Sequence, residues 1–346
     1  MTAELSIREL DDVRSADWDR FVAQCADATF FHRVGWKNVI ERSFGHRAYY
    51  LYAERNGAIE GVLPLVHIKS ALFGNSLSSV AFCVYGGPAA TTGEAHAALD
   101  RAARGLADRL NVAHLEYRHI EERHYDGAVA KPDLYVTFRK AIDPDVEKNM
   151  LAIPRKQRAM VRKGQKFGLR SEIDADCARL YRVYSESVRN LGTPVFSRRY
   201  FEALKQAFAD ECEILTVVHE GTPVAAVMSF YFRDQVLPYY GGGSASARDL
   251  AANDFMYWEV MRRACERGCR LFDFGRSKRG TGAFDFKKNW GFPAEALNYQ
   301  FIMRHGDKPP DINPLNPKFR IFVNTWKRLP LPLANWLGPH IVRQLG

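Results

Sequence analysis

The chain has 346 residues, 47% of them hydrophobic and 26% charged, enough for two domains that each bury a core without a disulfide or metal staple. Its net charge of +9 and pI of about 9.2 point to an acidic partner: a nucleic acid, a nucleotide-linked substrate, a phosphopantetheine carrier or an anionic membrane surface. The opening residues lack the basic and apolar regions of a secretory leader, and no apolar run approaches the ~18 residues of a membrane span, so a cytoplasmic location is expected.

The predicted elements follow one order twice. A short alternating strand over 5–10 is followed by amphipathic helices near 18–25 and 35–42. A hairpin comes next, with strands over 48–54 and 59–68 about an Asn56-Gly57 turn, the strongest short hairpin signal. A strand over 79–85 ends at Gly86-Gly87-Pro88. A helix over 93–110 then carries Leu99, Ala103, Leu106 and Leu110 on one face, and a strand over 113–117 closes the set. Residues 143–166 form a connection in which Pro154 opens a helix. Six basic residues, Arg155, Lys156, Arg158, Arg162, Lys163 and Lys166, stand there with no acidic neighbour. The second set has a strand over 169–173, helices over 175–190 and 197–209, and a hairpin over 213–219 and 224–232 about Glu220-Gly221. A strand over 236–240 then leads into a Gly241-Gly242-Gly243 turn, a helix over 253–267 and a strand over 271–274.

An ordered set that recurs at this spacing reads as a duplication. Strand, glycine turn, helix and strand make a right-handed βαβ unit, and the hairpin before it makes the sheet mixed. The expected fold class is α/β with mixed sheets: two tandem N-acetyltransferase-like (GNAT-like) domains, over 1–145 and 146–305. An aromatic and basic tail over 306–346 follows, with Pro309, Pro310, Pro314 and Pro317 at its start and Phe319, Phe322, Trp326 and Trp336 beyond. That tail either docks its aromatics on the second domain or lies on a membrane surface.

Chemistry concentrates in the second half. Glycines at 241–243 would let backbone N–H groups approach an anion, aided by the helix that follows, although neither a dinucleotide fingerprint nor a P-loop is present. The loop around Asp273, Arg276, Ser277 and Gly282 is cationic and glycine-rich, fit to close on an acyl oxyanion or a phosphate. Read as an extended segment, Phe284 and Phe286 share a buried face and Lys287 points the other way. The six cysteines are scattered and read as buried thiols. His119 and His124 are five apart and read as part of a charged turn, not as a metal site. No G-x-S-x-G elbow is present.

Asp273-Phe-Gly-Arg-Ser277, followed by Phe286-Lys287-x-x-Trp290-Gly291, resembles the closing signature of FemAB-type transferases. Arg158-x-x-x-Arg162-Lys163 before Phe167-Gly168-Leu169 resembles the start of that family's second half, and Phe31 to Trp36 with Gly87-Pro88 its first half. The likeness spans about residues 18–305, in the variant associated with exopolysaccharide and exosortase loci. It implies a tandem acetyltransferase-like fold that moves an acyl or aminoacyl group onto an amine of a cell-envelope or exopolysaccharide precursor. Lys287 would stabilise the developing charge. Arg158 or Arg162, with Arg155 and Lys163 beside them, would contact substrate phosphate. Trp36 and Lys37 would lie on the substrate, with Gly241, Gly242, Arg276 and Ser277 lining the site.

The expected mechanism is direct attack of a substrate amine on an ester or thioester carbonyl, with Asp273 or Tyr240 orienting the amine. No tightly bound cofactor is expected. The donor is a co-substrate: aminoacyl-tRNA, acyl-CoA or an acyl-carrier protein. The chain lacks the long charged helical arm of some tRNA-using members, which favours the latter two. The acceptor would be an anionic small molecule or a lipid-linked glycan. The alternatives are a CoA-dependent N-acetyltransferase acting on an amino sugar, and a catalytically degenerate scaffold for polysaccharide assembly.

Overall fold

The structure is a computed structural model that describes residues 4–70, 74–131, 135–304, 309 and 317–345, with the backbone alone for 317–320. Pro310 and Pro314 lie outside the described residues, as do the side chains of Pro317 and Phe319.

The elements run β1 (Ser6–Glu9), α1 (Ser15–Gln24), α2 (Gly35–Phe44), β2 (Arg47–Arg55), β3 (Ala58–Ser70), β4 (Gly74–Ser79), β5 (Ala89–Ala90), α3 (Gly93–Arg109), β6 (His114–His119), β7 (Ala128–Ala130) and β8 (Tyr135–Ala141). They continue with α4 (Val146–Ala152), α5 (Arg155–Lys166), β9 (Arg170–Asp174), α6 (Ala178–Leu191), α7 (Arg198–Phe208), β10 (Cys212–His219), β11 (Thr222–Phe232), β12 (Gln235–Gly243), α8 (Ala252–Glu266) and β13 (Leu271–Asp273). Last come β14 (Ser277–Lys278), α9 (Gly282–Asn289), β15 (Ala294–Ala296), β16 (Asn298–Met303), α10 (Pro317–Trp326) and α11 (Leu331–Val342).

Two compact units result. One comprises Met1–Leu134, Ala296–Asp311 and Arg343–Gly346; the other comprises Tyr135–Glu295 and Ile312–Val342. The sheet of the first runs β1-β2-β3-β4-β6-β16-β7, and that of the second runs β9-β10-β11-β12-β13-β8-β14. The layouts match strand for strand. Each has antiparallel strands, one parallel step (β4 to β6, β12 to β13), then antiparallel strands again. The duplication read from the sequence is therefore present in the sheets. In each, the strand beyond the parallel step comes from a distant stretch: β16 pairs with β6, and β8 pairs with β13. Boundaries at 145 and 305 put 135–141 on the first side and 298–303 on the second; the sheets hold them the other way round.

Local sequence explains the regular parts. Asn56 and Gly57 both take left-handed φ, 52° and 79°, as do Glu220 and Gly221 at 48° and 79°. Consecutive left-handed residues form the tight turn whose twist suits a hairpin. The Thr92 hydroxyl caps α3 by accepting from the Ala95 N–H. Ala95, Leu99, Ala103 and Leu106 then form a buried stripe in the first core. Burial of a leucine of that kind contributes about 1.5–3 kcal/mol. In the second unit α8 buries Phe255, Met256, Trp258, Val260 and Met261, residues on several of its sides, so it is covered on more than the sheet face.

Three expected elements differ. The strand expected over 79–85 lies earlier, at Gly74–Ser79. The glycines at 241–243 are no turn: β12 runs through them, paired with Ala225–Val227. The segment around Phe284 and Phe286 is the helix α9, so alternation did not set its faces. Both rings pack against the second core from a helix begun by the Thr281 cap. All six cysteines are buried and unbridged, as expected. His119 sits in β6, 7% exposed, and not in a charged turn.

Candidate functional site

The parallel step of the second sheet is short. β12 and β13 are in register at only two positions, Gln235↔Leu271 and Val236↔Phe272. Beyond them β12 continues to Gly243, while β13 ends at Asp273 and its chain turns toward β8, Phe274 N–H donating to Phe138 O. Among the described residues no strand pairs with 237–243 on that side. Parallel strands that part at their carboxyl ends leave a crevice edged by backbone N–H and C=O groups, the common place for ligands in such sheets.

Glycine at 241–243 is demanded by packing around that edge. A Cβ on Gly241 would stand 2.9 Å from the Tyr257 hydroxyl, one on Gly242 2.6 Å from Ser187 Cβ, and one on Gly243 2.5 Å from Ala247 Cβ. The run lets α6 and α8 close onto the strand. Tyr240, beside it, is 5% exposed, shares a 2.7 Å hydrogen bond with the Tyr200 hydroxyl, and is ringed by Tyr184, Phe196 and Phe201.

The motif residues converge on the carboxyl end of β13. Asp273 is 2% exposed; its Oδ1 accepts the Gly275 N–H at 2.7 Å, and its Oδ2 lies 3.6 Å from Arg139 Nε, an ion-pair separation too long for a hydrogen bond. The carboxylate therefore folds the loop that leaves the strand. The Arg276 guanidinium lies over the Tyr135 ring at 4.4 Å. Ser277, in β14, pairs with Val136, and its buried Oγ has no hydrogen-bond partner among the described residues.

Lys287 reaches this loop from α9. Its Nζ donates to three backbone oxygens, of Phe274 at 2.7 Å, Gly275 at 3.0 Å and Arg276 at 3.1 Å. Burial brings the ammonium down from the ordinary lysine value to about 7; Asp273 opposes the shift and Arg276 adds to it. An ammonium has three N–H groups, and all three are engaged. So Lys287 fastens the loop. Trp290, fully buried, donates its indole N–H to Asp254 Oδ1 of α8 at 2.9 Å. Burial raises the Asp254 carboxyl above its usual range, against hydrogen bonds from Trp290 and Gln157 of α5. Gly291, at φ 77°, lies where a Cβ would press on Pro154, the residue before α5. The Phe-Lys-x-x-Trp-Gly signature thus ties α9 to the loop, to α8 and to α5. The Asp254–Trp290–Gln157 link has no sequence signature of its own; only the tryptophan stood in the motif.

On α5 two stripes oppose each other. Gln157, Val161 and Gly164 are buried, with Gly164 so near α8 that a Cβ would lie 2.9 Å from Phe255 Cβ and 3.5 Å from Ala251 O. Arg155, Arg158, Arg162, Lys163 and Lys166 line a depression of about 440 Å³ on the other side, with Ala159 among them. Arg158 donates to Leu151 O at 3.1 Å, and Lys163 stands over the Phe167 ring at 5.5 Å. None of the five is ion-paired to a carboxylate among the described residues. The α8 start beside this crossing is preceded by Ala251 at φ 55° and carries no side-chain cap. Its first N–H groups and the cationic stripe both suit an anion.

The first-unit candidates are placed otherwise. Trp36 is fully buried and packs its ring against Phe30 and Phe31, and Lys37 pairs with Glu41 at 3.1 Å one turn along α2. The corresponding parallel step, β4 to β6, is in register over four positions from Ser76↔His114 to Ser79↔Tyr117. Beyond it the chain over 80–88 stays across β6. Gly86 N–H donates to Arg118 O at 2.6 Å, the Arg118 guanidinium to Val80 O and Cys83 O, and the Tyr299 hydroxyl to Val84 O. Here the strand ends are filled by the protein's own chain, so the crevice belongs to the second unit.

Residues 153–288, the stretch that holds α5, the crevice and α9, match the acetyltransferase (GNAT) domain family. The chain carries an acyltransferase domain. No curated protein matches it in sequence. Among solved structures it resembles FemX, with a TM-score of 0.70 and 16% identity over 86% of this chain and 97% of that one. A tandem GNAT protein from the clavulanic acid biosynthesis pathway aligns with a TM-score of 0.55 and 13% identity, covering 88% of this chain and all of the other. The C-terminal domain of a putative lysylphosphatidylglycerol synthetase from Agrobacterium fabrum does so at 0.55 and 13%, over 85% and 92%. At such identities the likeness is one of fold: a mixed α/β architecture of two tandem GNAT-like units, as the element order implied. No helix among the described residues is long and apolar enough to cross a membrane.

Proposed function

We propose that this acyltransferase moves an acyl or aminoacyl group onto an amine of an anionic cell-envelope or exopolysaccharide precursor, in the manner of FemAB-type enzymes. The observation that carries the reading is the cationic stripe of α5, unpaired to any described carboxylate, within the acetyltransferase domain. Arg155, Arg158, Arg162 and Lys163 hold phosphate groups of a substrate there. The donor carbonyl lies along the free edge of β12, where backbone N–H groups near Gly241 and Gly242 polarise it. The acceptor nitrogen attacks the carbonyl carbon, and a tetrahedral oxyanion forms. Its collapse expels the donor's alkoxide or thiolate, which takes the proton shed by nitrogen. Lys287 and Asp273 act through the loop at 274–276, which they hold in place. The likeness in fold to a putative lysylphosphatidylglycerol synthetase domain favours an aminoacyl donor. The uncapped α8 start after a parted strand equally suits the pyrophosphate of acyl-CoA, which would make the chain an N-acetyltransferase of amino sugars.

Mass spectrometry of products decides. The full chain is incubated with a nucleotide-linked amino sugar and, in turn, acetyl-CoA, an acylated carrier protein and charged tRNA. An N-acylated product with one donor supports the proposal and names the donor. Donor hydrolysis without N-acylation, or no reaction across such acceptors, overturns it.

A further inference from the structure

The hairpin of α10 and α11 buries some of its side chains and leaves others open. In α11, Ala334, Gly338 and Val342, spaced four apart, are buried. A Cβ on Gly338 would stand 2.8 Å from Val195 O, and Asn335 Nδ2 lies 3.4 Å from Ser185 Oγ of α6. In α10, Trp326 is 3% exposed, and Val323 sits where a Cβ on Gly192 would meet it at 2.5 Å. The hairpin is therefore anchored on the second unit, which answers the docking half of the expectation for this segment. Both helices nevertheless keep large apolar side chains open, Phe322 while stacked on Trp326 at 5.4 Å. Leu333 and Trp336, one turn apart on α11, are 40% and 66% exposed, and Ile321 and Phe322 on α10 are 78% and 39% exposed. Docking has not consumed the apolar surface.

Charge indicates what covers it. From Pro317 to Gly346 the sequence has Lys318, Arg320, Lys327, Arg328 and Arg343, and neither Asp nor Glu. Lys327 and Arg328, which join the two helices, are exposed. A protein partner for four large apolar side chains would not need a border free of acid. An anionic lipid surface accounts for both features, since apolar side chains enter the acyl boundary while lysine and arginine meet the headgroups. At twelve residues α11 is about 18 Å long, too short to span a bilayer.

We infer that the α10–α11 hairpin is an interfacial anchor that seats the protein on anionic bilayers through Ile321, Phe322, Leu333 and Trp336, with the exposed Lys327 and Arg328 between the two helices meeting the headgroups. The anchor is independent of which donor the acyltransferase uses.

The six tryptophans supply a selective probe. Trp18, Trp36, Trp258, Trp290 and Trp326 are buried, and Trp336 alone is exposed. The full chain is mixed with vesicles of phosphatidylcholine, or of phosphatidylcholine with phosphatidylglycerol, some carrying brominated acyl chains. Flotation with the anionic vesicles, weakened by salt, is expected, together with bromine quenching that Trp336→Phe largely removes. Leu333→Ser with Trp336→Ser should weaken flotation at least about tenfold, because two apolar side chains leave the boundary. Circular dichroism and acyl transfer of that variant should match the parent, since both side chains are exposed. Equal flotation on neutral and anionic vesicles, no flotation at all, or unchanged binding by a folded double variant overturns the inference. So does concentration-dependent dimerisation that the double variant abolishes while vesicle binding is absent, because a second copy would then cover the face.

Discussion

Replacement of Lys287 by methionine separates a lysine that holds a loop from one that touches the reacting oxygen. Methionine keeps much of the stem's volume and removes the ammonium, so the oxygens of Phe274, Gly275 and Arg276 lose donors at 2.7, 3.0 and 3.1 Å. A hydrogen bond from a charged donor contributes about 1.5–3 kcal/mol, and relief of the buried charge offsets part of the sum, leaving a net loss of about 2–4 kcal/mol. With an m-value of about 2 kcal/mol/M in urea, the transition of the second unit should fall by about 1–2 M. The pH dependence has a definite sign. Lys287 titrates near 7 in the folded protein and near the ordinary lysine value when unfolded. Between these values the unfolded chain binds the extra proton, so wild-type stability rises with pH through that window. Methionine has no such dependence. The gap between the two proteins should be smallest at and below about pH 7 and widen toward about pH 10. Turnover should drop about 10²-fold or more, as a displaced loop misplaces the reactants. The reasoning fails if Lys287→Met unfolds at the wild-type urea concentration, with a gap flat in pH, yet has lost turnover. Lys287 would then act on the oxyanion itself.

Arg158→Ala with Arg162→Ala should leave the unfolding midpoint nearly unchanged and weaken binding of a pyrophosphate ligand about tenfold or more, with a shallower salt dependence, as calorimetry would record. Gly242→Val places carbon where Ser187 Cβ stands 2.6 Å from the built Cβ. It should cost about 1–3 kcal/mol or more and show as a lowered Tm. Asp254→Asn keeps an acceptor for the Trp290 indole but removes a carboxyl whose folded value lies above its unfolded one. For the wild type, the folded state binds the extra proton in that window, so stability falls as pH rises from about 4. Relative to wild type, Asp254→Asn should therefore gain stability with rising pH in chemical denaturation.

Local signals carried much of the fold. Asn56-Gly57 and Glu220-Gly221 fix both hairpins through backbone conformations few other pairs adopt, and the stripe on α3 is visible as spacing. Positions 135–141 and 298–303 were not legible, because which sheet accepts a strand depends on an unfilled edge far away in sequence. The three glycines at 241–243 read as a turn, since turns and close packing select the same residue; only the positions of Ser187, Tyr257 and Ala247 tell them apart. Phe284 and Phe286 fit alternation by chance, and the Thr281 cap was the better signal. At the site, the cations of α5 were evident from the absence of acid around them. The three acceptors of Lys287 were not, because they are main-chain oxygens and carry no residue code.

The proposal that an anionic substrate is held on α5 for acyl transfer in the second unit is tested most directly by product formation. The rate of N-acylation of a nucleotide-linked amino sugar by the full chain is compared with that of Arg158→Ala/Arg162→Ala under subsaturating acceptor. A product from the wild type and a rate reduced about tenfold or more in the folded variant are predicted. Equal rates from both proteins would contradict the account.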